Sequence, residues 1–204
     1  MLQWFNDGGF IMWVLLVISL ISWFFIFEKT FVIFFEMKKT KKFIKQYEQN
    51  NGFPDEIMQG IKGKENSLTN QDDSIIERIL YFIKENSNLS KDNNIFLTRT
   101  KLKDESLNLH RGITLLEISA TVSPLLGLLG TVIGMVEVFS VISHLGVGDP
   151  TVLSGGISKA LNTTVFGLIV AIPSLAAYSI YERKIETLIR QTEKYSVIFI
   201  TKIY

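Results

Sequence analysis

The chain contains no cysteine, so it has neither a disulfide framework nor a thiolate metal site. It has only two histidines, His110 and His144, well separated and without a ligand pattern around either. That leaves little material for a metalloenzyme or a histidine-dependent hydrolase. No excess of positive charge is present: Lys and Arg number 21 against 20 Asp and Glu, a formal net charge of +1. A nucleic-acid binder normally carries a strongly basic domain, so none is expected among the partners. There is no GxSxG, no HExxH and no glycine-rich phosphate loop after a strand. No catalytic residue, cofactor or metal is therefore expected, and nothing supports an enzyme. Proline is scarce as well, 4 in 204 residues, which suits long uninterrupted helices.

What the chain has in abundance is apolar residues, 47% of the total, with a mean hydropathy of +0.26. A chain that apolar with 41 charged side chains must segregate the two kinds. Phe10 to Phe27 reads FIMWVLLVISLISWFFIF, 18 residues without a charge. As a helix it is about 27 Å long, enough to cross a bilayer core. Its start lacks the basic residues of a signal peptide, so a retained membrane helix is expected. After Glu28 and Lys29 a further apolar turn, FVIFF, predicts that the helix runs on past the membrane surface. Residues 36–112 hold 14 Lys/Arg and 12 Asp/Glu. Turn and breaker residues occupy the stretch from Asn50 to Asp73. Beyond it Ile75, Ile76, Ile79, Leu80 and Ile83 fall on one helix face, and Leu102, Leu107 and Leu109 lead into the next apolar span.

Two more spans follow, joined by Leu145-Gly-Val-Gly-Asp-Pro150, a reverse turn that makes them an antiparallel hairpin. The tail places Ile185, Leu188, Ile189, Thr192 and Tyr195 on one face of an amphipathic helix. The fold class expected is an all-α membrane protein with three transmembrane helices and long cytoplasmic helical extensions, assembling as a ring. Its segments are an outer N-terminus (1–9), a first membrane helix (10–35), a charged helical domain (36–112), a second membrane helix (113–144), a turn (145–151), a third membrane helix (152–181) and a C-terminal helix (182–204). Lys and Arg are absent from the first nine residues and from the turn, whereas the middle region has 14 and the tail five. Basic loops stay in the cytoplasm, so the N-terminus is expected outside and the C-terminus inside.

The second and third spans are rich in small residues, among them Gly127, Gly130, Gly134 and Gly167. Such residues let membrane helices approach closely. They could pack the hairpin within one subunit or pack several subunits into a ring; the ring is favoured because small residues occupy most of both spans. Counting from a turn centre near Val147, Thr131 and Thr164 fall at the same depth, about 25 Å below the tip. Their hydroxyls could bond their own backbone or line a polar lumen. Glu137 and Lys159 also match, about 16 Å below the tip. Charges at that depth pair or line a wet cavity, so these two are expected close together, as a packing pair or as part of an ion path. Glu117 should lie near the cytoplasmic rim, within reach of Arg183 or Lys184. Asn162-Thr163-Thr164 matches the glycosylation pattern, but it falls inside a membrane span and is discounted.

The runs Ser123-Pro-Leu-Leu-Gly-Leu-Leu-Gly-Thr-Val-Ile-Gly-Met135 and Gly156-Ile-Ser-Lys-Ala-Leu-Asn-Thr-Thr-Val-Phe-Gly-Leu-Ile-Val-Ala-Ile-Pro173 resemble the MotA/TolQ/ExbB proton channel family. The three-span layout is closest to its ExbB/TolQ branch. The resemblance implies a homopentamer around a single-span partner of the ExbD/TolR type, whose membrane aspartate carries the protons. It implies a bacterial inner membrane location, and motion passed to a periplasm-spanning protein of the TonB/TolA type. Thr131 and Thr164 match the family's pore-lining threonines, and Pro173 its third-span proline. At Lys159 the chain departs from many ExbB and TolQ sequences, which carry Glu there; Glu137 can supply a carboxylate from the other helix. The function implied is an ExbB-like subunit of a motor that couples proton motive force to transport across the outer membrane. The alternatives are a TolQ-like role in envelope integrity and a non-conducting oligomeric scaffold.

Overall fold

A computed structural model describes residues 9–49, 52–53, 73–145 and 150–204. The tip of the expected reverse turn, 146–149, lies outside the described residues, as does most of the breaker-rich stretch. Among the described residues all regular structure is helical: α1 (Gly9–Gln49), α2 (Ile75–Glu85), α3 (Lys91–His110), α4 (Ile113–Leu145) and α5 (Pro150–Ile203). Three of these, α1, α4 and α5, are long and apolar enough to cross a membrane. The first membrane segment and the lysine-rich sequence after it form one helix, as FVIFF predicts. The tail is not a separate helix: α5 runs through it without a break, because no Gly or Pro falls between Pro173 and Tyr204.

The chain divides into two compact units. The first comprises residues 1–29 and 112–180, the apolar half of α1 with α4 and the apolar part of α5. Its second segment begins at Gly112, whose φ of +82° favours glycine. A Cβ there would also lie 2.6 Å from the Phe25 ring. Met12, Leu15, Ile113, Leu116, Val170 and Ala171 are buried inside this unit, while Phe10, Trp13, Leu20, Phe24, Leu125, Val136 and Ile172 are exposed. An apolar exterior of this extent is what hydrocarbon solvates and water does not.

The second unit comprises residues 30–111 and 181–204. Its centre is the apolar face of α2: Ile75, Ile76, Ile79, Leu80 and Ile83 are each at most 1% exposed. Ser74 starts that helix with a reciprocal cap, its hydroxyl accepting from the Glu77 amide while the Glu77 carboxylate accepts from the Ser74 amide at 2.7 Å. Edge-on aromatic contacts tie the end of α1 to the end of α5: Tyr47 to Tyr195 at 5.0 Å, Tyr47 to Phe53 at 4.8 Å and Phe53 to Phe199 at 4.7 Å. Ile185, Leu188, Thr192 and Tyr195 are buried here, the inward face of the amphipathic tail. Leu102 and Leu109 turn inward on α3, but Leu107 is 58% exposed; at i−2 from Leu109 it sits on the other side of the helix.

One polar cluster holds α1, α2 and α3 in register. The Arg78 guanidinium donates to Glu105 at 2.9 Å and lies 3.7 Å from Glu36, whose carboxylate also accepts from the Ile75 amide. The two carboxylates are only 13–14% exposed, so removing the cation between them leaves two poorly solvated like charges. Arg78→Ala is expected to lower stability by about 2–3 kcal/mol, below the cost for a fully buried pair because Arg78 retains some solvent. Thermal unfolding in detergent, followed by circular dichroism, checks this; the triple change E36Q/R78M/E105Q should recover most of the loss.

Candidate functional site

The hairpin of α4 and α5 is built on glycine. A Cβ added at Gly127 would lie 2.8 Å from the Thr163 carbonyl oxygen and 2.9 Å from the Thr164 Cα. At Gly134 it would lie 2.8 Å from the Ala160 Cβ, and at Gly167 2.5 Å from the Ser123 carbonyl oxygen. Gly130 abuts the Thr163 side chain, and Gly156 abuts Val138. The contacting positions on α4 are 123, 127, 130, 134 and 138; those on α5 are 156, 160, 163 and 167, with the Thr164 backbone also against Gly127. Each set repeats at intervals of three and four, so each forms one row along its helix. The two rows run antiparallel, as the turn predicts.

Thr163 is the residue that closes this seam. It is 2% exposed, and its hydroxyl reaches across to the Gly127 carbonyl at 3.0 Å while also meeting its own-helix Ala160 carbonyl at 2.7 Å. Without a side chain at Gly130 there is room for it. Spacing alone counts Thr163 among the small residues of the third span without singling it out. Its signal was rotational: Thr163 shares the helical phase of Gly156, Ala160 and Gly167, whereas matching depth alone singles out Thr164.

Thr131 and Thr164 sit one residue beyond the seam rows, on Gly130 and Thr163 respectively. At 100° per residue each is turned roughly 60–70° from the mean direction of its row. Because the helices are antiparallel, the same step along each leads to the same side of the hairpin. Both threonines are half-buried, at matching depth on that one side. The Thr131 hydroxyl donates to the Leu128 carbonyl at 2.6 Å, the backbone bond available to any threonine in a helix. Glu137 and Lys159 are one residue before the seam positions Val138 and Ala160. They therefore fall together on the opposite side, level with each other between the Gly134–Ala160 and Val138–Gly156 contacts. Both are exposed on the single chain.

Pro173 lies inside α5 and Pro124 inside α4. Each removes an amide donor from its helix. Beside Pro173, Ser174 is buried and donates to the Val170 carbonyl at 2.8 Å. Beside Pro124, Ser123 is fully buried and its hydroxyl has no hydrogen-bond partner. Glu117 and Arg183 are both exposed, Glu117 in the first unit and Arg183 in the second. Among the described residues no group of acids and histidines could hold a metal ion. An apolar cleft of about 230 Å³ between α1 and α5, lined by Leu16, Leu20, Phe166 and Ile169 among others, includes neither threonine.

The glycines at 127, 130, 134 and 167 thus face the other helix of the same chain. They account for the hairpin, and the ring expected from them has to rest on other grounds. A side chain at Gly127 must push against α5 backbone, so Gly127→Val is expected to destabilise the protein by about 1–3 kcal/mol. Thr163→Val, which removes one interhelical bond in an apolar setting, should cost about 0.6–1.7 kcal/mol. Gly155 has open space around its Cβ position, and Gly155→Ala should leave the melting temperature in detergent unchanged.

Comparison with known proteins places this hairpin among others. Residues 69–194, more than half of the chain, match the model of the MotA/TolQ/ExbB proton channel family. The biopolymer transport protein ExbB of Helicobacter pylori is 32% identical over 123 residues, covering 60% of this chain and 77% of the relative. The putative biopolymer transport protein ExbB-like 1 of the same species is 26% identical over 189 residues, covering 89% of this chain and 86% of that protein. The biopolymer transport protein exbB1 of Vibrio cholerae is 41% identical over 76 residues, 37% of this chain and about a third, 33%, of the relative's length.

Proposed function

The chain belongs to the MotA/TolQ/ExbB proton channel family, and from that membership we propose that it is an ExbB-like subunit of a proton-driven motor in the bacterial inner membrane. In this reading five copies form a ring, with the N-terminus of each outside and the C-terminus in the cytoplasm. The observation that carries the proposal is the common side of Thr131 and Thr164. Repeated around a ring with that side inward, the two hydroxyls form a band at one depth. Such a band can hydrogen-bond water and hydronium without holding a proton tightly, since neither hydroxyl titrates in the relevant range.

The titrating acid must then come from another polypeptide. A single-span partner of the ExbD/TolR type, with an aspartate at that depth, would meet the threonine band. Neutralising this acid in a low dielectric changes its preferred surroundings, and that difference can drive rotation or sliding. The motion would pass to a periplasm-spanning protein of the TonB/TolA type, energising transport across the outer membrane. Glu137 and Lys159 lie on the side away from the band. We assign them to each other as a neutralised pair, within or between copies, and not to the ion path. Pro173 and Ser174 would shape the cytoplasmic half of the third span, with Glu117 and Arg183 at its rim.

The reading separates the two sides of the hairpin by experiment. With the complex and its partner in liposomes, T131V/T164V should abolish proton uptake above the background of empty vesicles. E137Q/K159Q should retain uptake and lower the thermal stability of the assembly. Unchanged uptake in the threonine double variant would reject the lining role and favour a non-conducting scaffold.

A further inference from the structure

Between Thr30 and Gln46 the surface of α1 changes character once, and sharply. The exposed side chains in order are Thr30, Phe31, Val32, Phe34, Phe35, Lys38, Lys41, Lys42, Lys45 and Gln46. Apolar residues end at Phe35, and from Lys38 onward every exposed residue before Gln46 is a lysine. Positions 31, 34, 35, 38, 41, 42 and 45 share one helix face, spaced at three, four and seven. Phe31, Phe34 and Phe35 are 62%, 61% and 53% exposed. Lys38 to Lys45 spans about 10 Å along the axis, and Lys38 follows Phe35 by about 4.5 Å.

Between Thr30 and Gln46 no acid shares this face; the exposed Glu48 follows Lys45 by one turn, at the far end of the row. The one acidic residue of the stretch, Glu36, is turned inward, where Arg78 and the Ile75 amide hold its carboxylate. The opposite face is occupied: Ile33, Thr40 and Phe43 are each at most 2% exposed. Lys38, Lys41 and Lys42 therefore have no acid at i±3 or i±4, Lys45 has only Glu48 at i+3, and none of the four has an apolar core to cover.

We infer that this row is a binding surface for the headgroups of anionic phospholipids in the membrane that α1 enters. Two observations fix the occupant. The row continues, on one face and without a turn, from three exposed phenylalanines that suit the interfacial zone of a bilayer. The phosphate layer is then the next material outward, and its charge complements the row. The lysine stems can lie along the helix while the ammonium groups reach the phosphates. The inference rests on α1 entering a membrane, as the proposed function has it; it does not depend on ion conduction.

Lipid retention by the full chain, purified in detergent, tests it. Native mass spectrometry would compare phosphatidylglycerol with phosphatidylcholine of the same acyl chains. The wild type is expected to retain the anionic lipid preferentially, by about five-fold or more, since a single lysine at such a surface contributes about that factor. K38Q/K41Q/K42Q/K45Q should remove most of the preference, whereas arginine at the same four positions should keep it. K91Q/K101Q/K103Q, on α3, should leave it unchanged. Circular dichroism confirms that the variants fold; all the changed lysines of the row are exposed. Equal retention of the two lipids by the wild type overturns the inference, as does a preference that survives the quadruple glutamine change. Loss of proton uptake in the threonine variants, or its persistence, bears on the channel and leaves this result as it stands.

Discussion

The closeness of α4 to α5 is the constraint on which the rest of the membrane unit depends. A Cβ at Gly127 or Gly167 would overlap backbone of the facing helix, so the two axes are closer than ordinary side chains permit. In hydrocarbon there is no hydrophobic gain in burying one apolar side chain against another. Close backbone contact and interhelical hydrogen bonds are what remain to favour association. Thr163 supplies such a bond, to Gly127. Once the seam is fixed, the angular position of every other residue on the two helices follows. The hydroxyls of Thr131 and Thr164 are on one side of the hairpin because Gly127, Gly130 and Gly134 are at its centre.

The second unit solves a different problem with different means. It uses a conventional core of isoleucine and aromatic side chains centred on α2. Several polar groups inside it are paired with backbone: Asn94 donates to the carbonyls of Ile83 and Asn86, and Thr192 and Ser196 donate back along α5, whereas the buried Thr40 hydroxyl has no partner. Glu36 connects the interior to the surface row on α1. By pairing inward with Arg78 it leaves the lysines as the sole exposed charges of their stretch.

Much of this was legible in the sequence, and the reason is periodicity. The isoleucine face of α2 and the inward face of the tail could be read by spacing alone; burial agrees at every residue named except Ile189, which is only half-buried. Three apolar spans were equally plain, because runs of about thirty residues with at most two charges stand out in a chain this polar elsewhere. The hairpin followed from the reverse-turn residues and the depth count. Rotation was harder. Depth from the turn gives a level along the axis but no angle about it, so Thr164 stood out and Thr163, one residue earlier, did not. The angle becomes readable only when the glycines of both helices are placed in one row. The use of the small residues was also underdetermined, since the same spacing serves a contact within a chain or between chains. The tail's continuity with α5 lacked any boundary signal, and its change of composition was not a change of structure.

The account holds that the seam within each copy leaves a threonine side free, and that several copies turn those sides toward one another around a partner's acid. Native mass spectrometry of the complex purified from membranes tests this most directly, by counting chains. Five copies of this chain with a bound single-span partner are expected. A particle containing one copy alone, stable and without partner under the same conditions, would contradict it.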